Sequence, residues 1–289
     1  MKILDVLNEP WVLPQPKLQE ITQIYATHLR GEKIDIERIE AQLGEPLQSE
    51  PKPYEVRHGV AILTVDGILS KRMNLFSRIS GGTSTELLGR DLRAALEDTR
   101  VGAILLNIDS PGGQVDGVQG VADQVFAARA RKPIVALGDG SMTSGAYWIG
   151  SAAQGVYITG DTVIVGSIGV ATQHVDYSGM EQKAGIKTTD IYAGRYKRIA
   201  SSNAPLSEEG KAYLQAIVDQ IYTVFVDAVA RNRGTDAETV LKDMADGRLF
   251  VGRAAVDAGL VDGVSTLDDL IADLVAGRKP AKRAGGSGR

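Results

Sequence analysis

Hydrophobic positions along the chain change period near residue 56. Before it, Leu18, Ile21, Ile24, Tyr25 and Leu29 recur every three to four positions, and Ile36, Ile39 and Leu43 repeat the spacing. That pattern predicts two helices. The stretch Pro46–Pro53 (PLQSEPKP) is polar and punctuated by proline, as a linker is. Residues 1–55 are therefore expected to form a helical appendage, 56–275 the main domain, and 276–289 a disordered basic tail that includes RKPAKRAGGSGR.

From Val56 onward, short apolar runs alternate with stretches of helical spacing. Val60–Val65, Ala103–Ile108 and Pro133–Leu137 are apolar on both faces, as buried parallel strands are. Val156–Thr159 and Val163–Val165 read as further short strands. Between them, Thr83-x-x-Glu86 has the form of a capping box opening a helix to about Thr99, and a second helix is expected from Gln114 to Arg131. Ala146–Ala153 reads as a helix of small residues. This alternation predicts an α/β domain with right-handed crossovers and a mostly parallel sheet. Leu206-Ser207-Glu208-Glu209 opens a long helix, its acids in the first turn, with an apolar stripe from Tyr213 to Val229. Such a helix packs on the domain body or on another subunit. Arg248–Val264 reads as strand, helix, glycine turn and strand, and Thr266–Val275 as a last amphipathic helix.

Composition narrows the chemistry. The 289 residues, 43% hydrophobic, suffice for one large core, and the net charge of −4 gives no footing for a nucleic-acid partner. The absence of cysteine excludes thiol nucleophiles, disulfides and cysteine-based zinc sites. The three histidines, His28, His58 and His174, are too far apart in sequence for an HExxH zinc site. No cofactor is expected. No apolar run reaches the roughly 18 residues of a membrane span. Acids and prolines interrupt the leading MKILDVLNEPWVLPQP, so neither a secretory signal nor a span is expected, and the location implied is cytoplasmic.

Two glycine-rich turns follow apolar strands: Asp109-Ser110-Pro111-Gly112-Gly113, and Gly138 to Gly145 with Ser144 at its end. A serine followed by glycine at a strand-to-helix turn presents its hydroxyl and the next backbone N–H to one substrate atom. Ser144 also fits a plain turn or N-cap serine, and Ser110 to Gly113 plain punctuation. With no histidine nearby in sequence, the bases open to Ser144 are lysines and carboxylates. Lys197, in a run of small and polar residues, could serve if partial burial favoured its neutral form, with Arg195 and Arg198 adding like-charge repulsion. Taken by itself it reads more readily as one of three basic residues on a solvated loop. The Ser167 hydroxyl, in Gly166-Ser167-Ile168-Gly169, either bonds a neutral amine or caps a strand end. His174 near Asp176 reads as an ordinary surface histidine.

Five segments in order carry a family resemblance: Ile108–Gly113, Ser141-x-x-Ser144-Gly145-x-Tyr147, Gly166–Val170, Gly194-x-x-Lys197, and Gly247-Arg248-x-Phe250-x-Gly252-Arg253 continuing to Gly259-Leu260-Val261-Asp262. Over residues 58–275 the chain resembles the signal peptide peptidase A family of Ser–Lys peptidases, of the Clp protease/crotonase superfamily. The resemblance implies a Clp/crotonase-type fold, Ser144 as nucleophile, Lys197 as general base, Ser167 as orienting hydroxyl, and the N–H groups of Gly113 and Gly145 as oxyanion hole. It implies a protein or peptide substrate and a homo-oligomer in which the lysine comes from the same or another subunit. A single catalytic unit without a membrane anchor resembles the phage head-maturation proteases, implying scaffold, portal or capsid protein as partner; a cytoplasmic bacterial peptidase is the near alternative. Two readings from other classes stand beside it: an acyl-CoA enzyme using the same oxyanion turns, and a catalytically silent capsid or scaffold protein.

Overall fold

The computed structural model describes residues 11–12, 54–72 and 82–278. The two helices expected before residue 44, the linker and the basic tail fall outside the described residues. Within them, ten strands form one sheet. Its centre is three long parallel strands, β3 (Val60–Ser70), β5 (Ala103–Gln114) and β6 (Ile134–Thr143). On one side β6 is followed by β7 (Gly155–Ile158) and β10 (Gly263–Val264), both parallel. On the other, β2 (Glu55–Arg57) closes the edge antiparallel to β3. Short strands extend the long ones: β4 (Gly82–Ser84) pairs with the end of β3, and β8 (Ile164–Gly166) with the end of β6 and with β9 (Leu249–Val251). The strand β1 (Trp11–Val12) lies antiparallel on the end of β5.

Strand alternation divides the core into two layers. Ala61, Leu63, Val65, Ile104, Leu106, Ile108, Ile134 and Ala136 face one way, under α1 (Thr85–Glu97), α2 (Val118–Ala128), α3 (Gly145–Ser151) and the far half of α5 (Glu208–Arg233). The intervening Val60, Ile62, Ala103, Leu105, Val135 and Leu137 face the other way, against Leu270, Ile271 and Leu274 of α8 (Leu267–Val275). That is why these strands are apolar on both faces. The parallel α/β architecture follows as the sequence predicts.

Three local features differ from the sequence reading. Ser84, not Thr83, caps α1: its hydroxyl accepts from the Leu87 N–H at 3.3 Å, while the Thr83 hydroxyl is engaged with the Asp66 backbone of β3. The two glycine-rich segments are not turns after the strands but irregular continuations of β5 and β6, with a register shift between Ile108 and Ser110. Apolar alternation stops where these strands leave the core, yet backbone pairing carries on. Finally, a short helix α4 (Ser178–Lys183), a turn of helix α6 (Ala237–Thr239) and the π-helical turn Val240–Met244 after it carry no periodic signal long enough to predict. The helix α7 (Arg253–Asp257) follows β9 as expected.

Candidate active site

The irregular ends of β3, β5, β6 and β8 meet at one end of the sheet and are bound there by side chains. The Ser110 hydroxyl donates to the Gly67 carbonyl at 2.5 Å and accepts from the Gly112 N–H at 3.2 Å, which holds the β5 bulge against β3. The Thr143 hydroxyl donates to the Pro111 carbonyl at 3.1 Å, and the Asp109 carboxylate accepts from the Ser141 N–H at 2.9 Å. These two bonds fix the segment before Ser144 beside the first glycine segment. Partial burial, with the charges of Asp66 and Asp139, holds the Asp109 carboxyl above the usual carboxylate range; the Ser141 N–H works against that rise. Thr143 and Asp109 are positioning residues that sequence reasoning missed, because their partners are more than thirty positions away and no spacing announces them.

Ser144 follows β6 directly and precedes α3, with φ 55° and ψ −122°. A non-glycine residue adopts such a backbone only where its surroundings impose it. Here the Ser144 N–H donates to the Gly166 carbonyl at 2.7 Å and its own carbonyl accepts from Trp148 N–H at 2.9 Å. The residue is 1% exposed and its hydroxyl has no hydrogen-bond partner. A buried hydroxyl left unpaired costs stability and calls for an explanation. The next N–H, that of Gly145, belongs to the first turn of α3, where intrahelical acceptors are lacking. Behind it, α3 is buried throughout: the Trp148 ring stacks on Phe225 of α5 at 4.4 Å, and the Tyr147 hydroxyl donates to the Leu260 carbonyl at 2.8 Å.

Gly113 stands on β5 opposite Leu69 of β3. A Cβ there would lie 1.9 Å from the Leu69 carbonyl oxygen, so only glycine fits so near β3. Ser167 follows the carbonyl that holds Ser144; it is nearly buried, has φ 52°, and donates its N–H to the Arg248 carbonyl at 2.7 Å. The Gly247-Arg248 segment thus supports the Ser167 turn from below. Ser144, Ser167, Gly145 and Gly113 therefore gather at one end of the sheet.

Lys197 does not join them within a single chain. It sits exposed on a turn closed by its own N–H to the Gly194 carbonyl at 3.0 Å, and the partial burial anticipated for it is absent. Nor do its neighbours bring uncompensated positive charge, since Arg195 pairs with Glu209 and Arg198 with Asp190. Among the described residues, 174–206 form an arm whose hydrogen bonds run within it and to the start of α5: Tyr177 N–H to Ser202 carbonyl at 2.7 Å, His174 Nε2 to Ser201 carbonyl at 3.0 Å, and Asn203 to Glu181 at 3.3 Å. His174 is half-buried in that arm, with its Nε2 engaged at the Ser201 carbonyl. Among the described residues no group of His, Asp and Glu has the arrangement of a metal site.

The model of peptidase family S49 matches residues 127–279, just over half of the chain. Capsid assembly protease C of Escherichia phage lambda is 32% identical over 222 residues, covering 77% of this chain and 50% of its own. An Enterococcus faecium protein named "Putative signal peptide peptidase SppA" is 32% identical over 75% of this chain and 63% of its own length. The chain thus spans between half and two thirds of these relatives. Among solved structures, a ClpP1 mutant from Listeria monocytogenes gives a TM-score of 0.46 at 14% identity, over 72% of this chain and 92% of that one. No helix among the described residues is long and apolar enough to cross a membrane.

Proposed function

Because the chain belongs to peptidase family S49, we propose that it is a serine endopeptidase with Ser144 as nucleophile and Lys197 as general base, the lysine supplied by a neighbouring copy of the chain. One observation carries the reading. Ser144 holds a buried hydroxyl without a partner on a constrained backbone, while the matching lysine is exposed on an arm whose hydrogen bonds run within it and to the start of α5. A base and a nucleophile act only within hydrogen-bond reach, so a second subunit is the natural source of the missing contact. The arm and the start of α5 carry the apolar surface such a contact needs: Met180, Ile186, Ile191, Tyr192, Tyr196 and Tyr213 are all exposed, Ile191 by 96%. Tyr196 stacks on Tyr213, and exposed apolar side chains of this kind favour association.

In this reading Lys197 takes the Ser144 proton as the oxygen attacks the scissile carbonyl. The developing oxyanion forms against the Gly113 and Gly145 N–H groups, each such donor being worth roughly 3–4 kcal/mol. The Ser167 hydroxyl holds the neutral amine. Lys197 then protonates the leaving amine and activates the water that clears the acyl-enzyme. The similarity to the phage lambda protein supports scaffold or capsid-class proteins as substrates during head assembly. The similarity to the Enterococcus protein supports a second reading, a bacterial peptidase like the signal peptide peptidases.

Subunit mixing tests the shared site. Ser144→Ala and Lys197→Ala are each expected to retain under about 1% of wild-type turnover. An equal mixture, unfolded and reassembled together, should recover about a quarter of it, the fraction of interfaces that random pairing completes in a symmetric oligomer. A mixture as inactive as either variant would place both residues of the dyad in one chain, or remove one of them from the mechanism.

A further inference from the structure

A cavity of about 420 Å³, within the range of small-ligand sites, lies between α1 and α2. Gly117, the N-cap of α2, lines it. Its φ of 91° suits glycine, and a Cβ there would lie 2.2 Å from Thr85 Oγ1 and 3.6 Å from Lys71 Cγ. Thr85, first in α1, and Lys71, just past β3, thus converge on the start of α2. That start is a row of unsatisfied donors, because its glycine N-cap has no side chain to cap it. The Val118 N–H reaches the Val115 carbonyl at 3.2 Å, and the Val121 N–H reaches the Gly117 carbonyl at 3.2 Å. Between them, the Gln119 and Gly120 N–H groups meet no acceptor among the described residues. Gly120 is exposed on the cavity wall, and a Cβ on it would touch nothing within 4 Å. Neither packing nor a positive φ requires glycine there, and glycine weakens a helix. What it provides is bare backbone.

A second, independent feature points to a ligand. Thr85 is 2% exposed, and its hydroxyl, lying against Gly117, has no hydrogen-bond partner among the described residues. An acceptor seated at the start of α2 would supply one. The charges around the cavity leave room for an anion. Lys71 pairs with Asp116 at 2.9 Å and Arg72 with Glu86 at 3.2 Å. Arg93 donates at 2.7 Å to the neutral Gln124 amide and faces no carboxylate partner among the described residues.

We propose that this cavity binds the phosphate group of a small molecule, with the N-terminus of α2, the Thr85 hydroxyl and the Arg93 guanidinium as its donors. Bare N–H groups at a helix start, with the positive end of the helix dipole, favour an anion. The three free oxygens of a phosphate monoester suit a hydroxyl, a pair of backbone N–H groups and a guanidinium, where a carboxylate offers two. The volume of the cavity leaves space beside the phosphate for the molecule that carries it. None of these groups belongs to the proposed catalytic set, so the site stands apart from that reading.

Calorimetric titration of the full chain with inorganic phosphate, at constant ionic strength, tests the site. Wild type should bind one phosphate per chain, and acetate much more weakly. Thr85→Val keeps the shape of the side chain and removes only the unpaired hydroxyl, while Arg93→Gln alters an exposed side chain. Each should weaken phosphate binding by roughly ten-fold, the scale of one hydrogen bond to a charged group. An absence of saturable phosphate binding by wild type would overturn the proposal. So would an affinity that either variant leaves unchanged, which would place the anion elsewhere on the surface. Acetate bound as tightly as phosphate would also overturn it, by making the cavity a carboxylate site.

Discussion

The Ser144 backbone, at φ 55° and ψ −122°, is held by bonds on both sides of the residue. Backbone in so sparsely populated a region costs of order 1–3 kcal/mol in a non-glycine residue. Glycine relaxes that cost but loses about 0.5–1 kcal/mol through the freedom it gains when unfolded. Ser144→Gly is therefore expected to be about 1 kcal/mol more stable than Ser144→Ala, and equally inactive. Urea midpoints at equal m-values measure the difference. Equal stability would mean that the turn is unstrained and that its shape owes nothing to the presentation of a nucleophile. At this scale the sequence was partly legible. A serine before glycine, after an apolar strand, marks Ser144 as a candidate, and the strand pairing in the structure brings Ser167 and Gly113 near it. The exposure of Lys197 was not legible, because the loop composition around it is the same for a lysine that enters a site and one that awaits a partner.

Among the elements, the long helix α5 shows how one segment serves two ends. Its far half, Phe225 to Asn232, is largely buried and packs on α3, where the buried Asn232 amide donates to the Ser151 hydroxyl at 3.0 Å. Its near half is mostly exposed beside the arm. The C-terminal end is locked by Arg233, which donates to the Gly259 carbonyl at 3.1 Å and pairs with Asp262 at 2.8 Å, both side chains close to buried. Asp262 also accepts from the Val156 N–H of β7 at 2.9 Å, so one carboxylate joins helix, turn and sheet. Removing one partner of a buried pair leaves the other charge uncompensated and typically costs roughly 3–5 kcal/mol. Asp262→Ala is expected to lose about that much, measured by urea unfolding; a loss below about 1 kcal/mol would show that the pair is solvated. The Gly259–Asp262 segment that resembles a family signature is thus a clamp on the helix behind the candidate nucleophile. The core strands were legible from apolar residues on both faces. The extensions of β5 and β6 were not, since glycine, serine and aspartate carry no periodicity and only pairing with neighbours makes them strands.

For the whole molecule, the sharpest constraint comes from alkaline pH. A lysine general base works only when uncharged, so turnover should climb on the alkaline side and Lys197→Arg should fail as fully as Lys197→Ala. The fold sets a limit from above. Burial pushes the Tyr157 phenol up to about 12, helped by the charges of Asp262 and Asp273 and opposed by that of Arg233. Burial likewise raises Tyr147, behind the candidate nucleophile. For both, the folded state favours the neutral phenol. Their contribution is fully present below the unfolded value near 10 and is lost as pH rises towards the folded one. Stability measured by urea unfolding is therefore expected to be insensitive to these groups up to about pH 9.5 and to fall steadily from about pH 10 towards 12. Tyr157→Phe removes one of the two titrations, so the fall should be shallower in that variant, whatever its baseline stability. Wild type and Tyr157→Phe with the same slope between pH 10 and 11.5 would contradict this account. Loss of activity beginning at lower pH than loss of fold would then report a change at the proposed Ser144–Lys197 pair, since these two phenols act on the folding equilibrium of the chain as a whole.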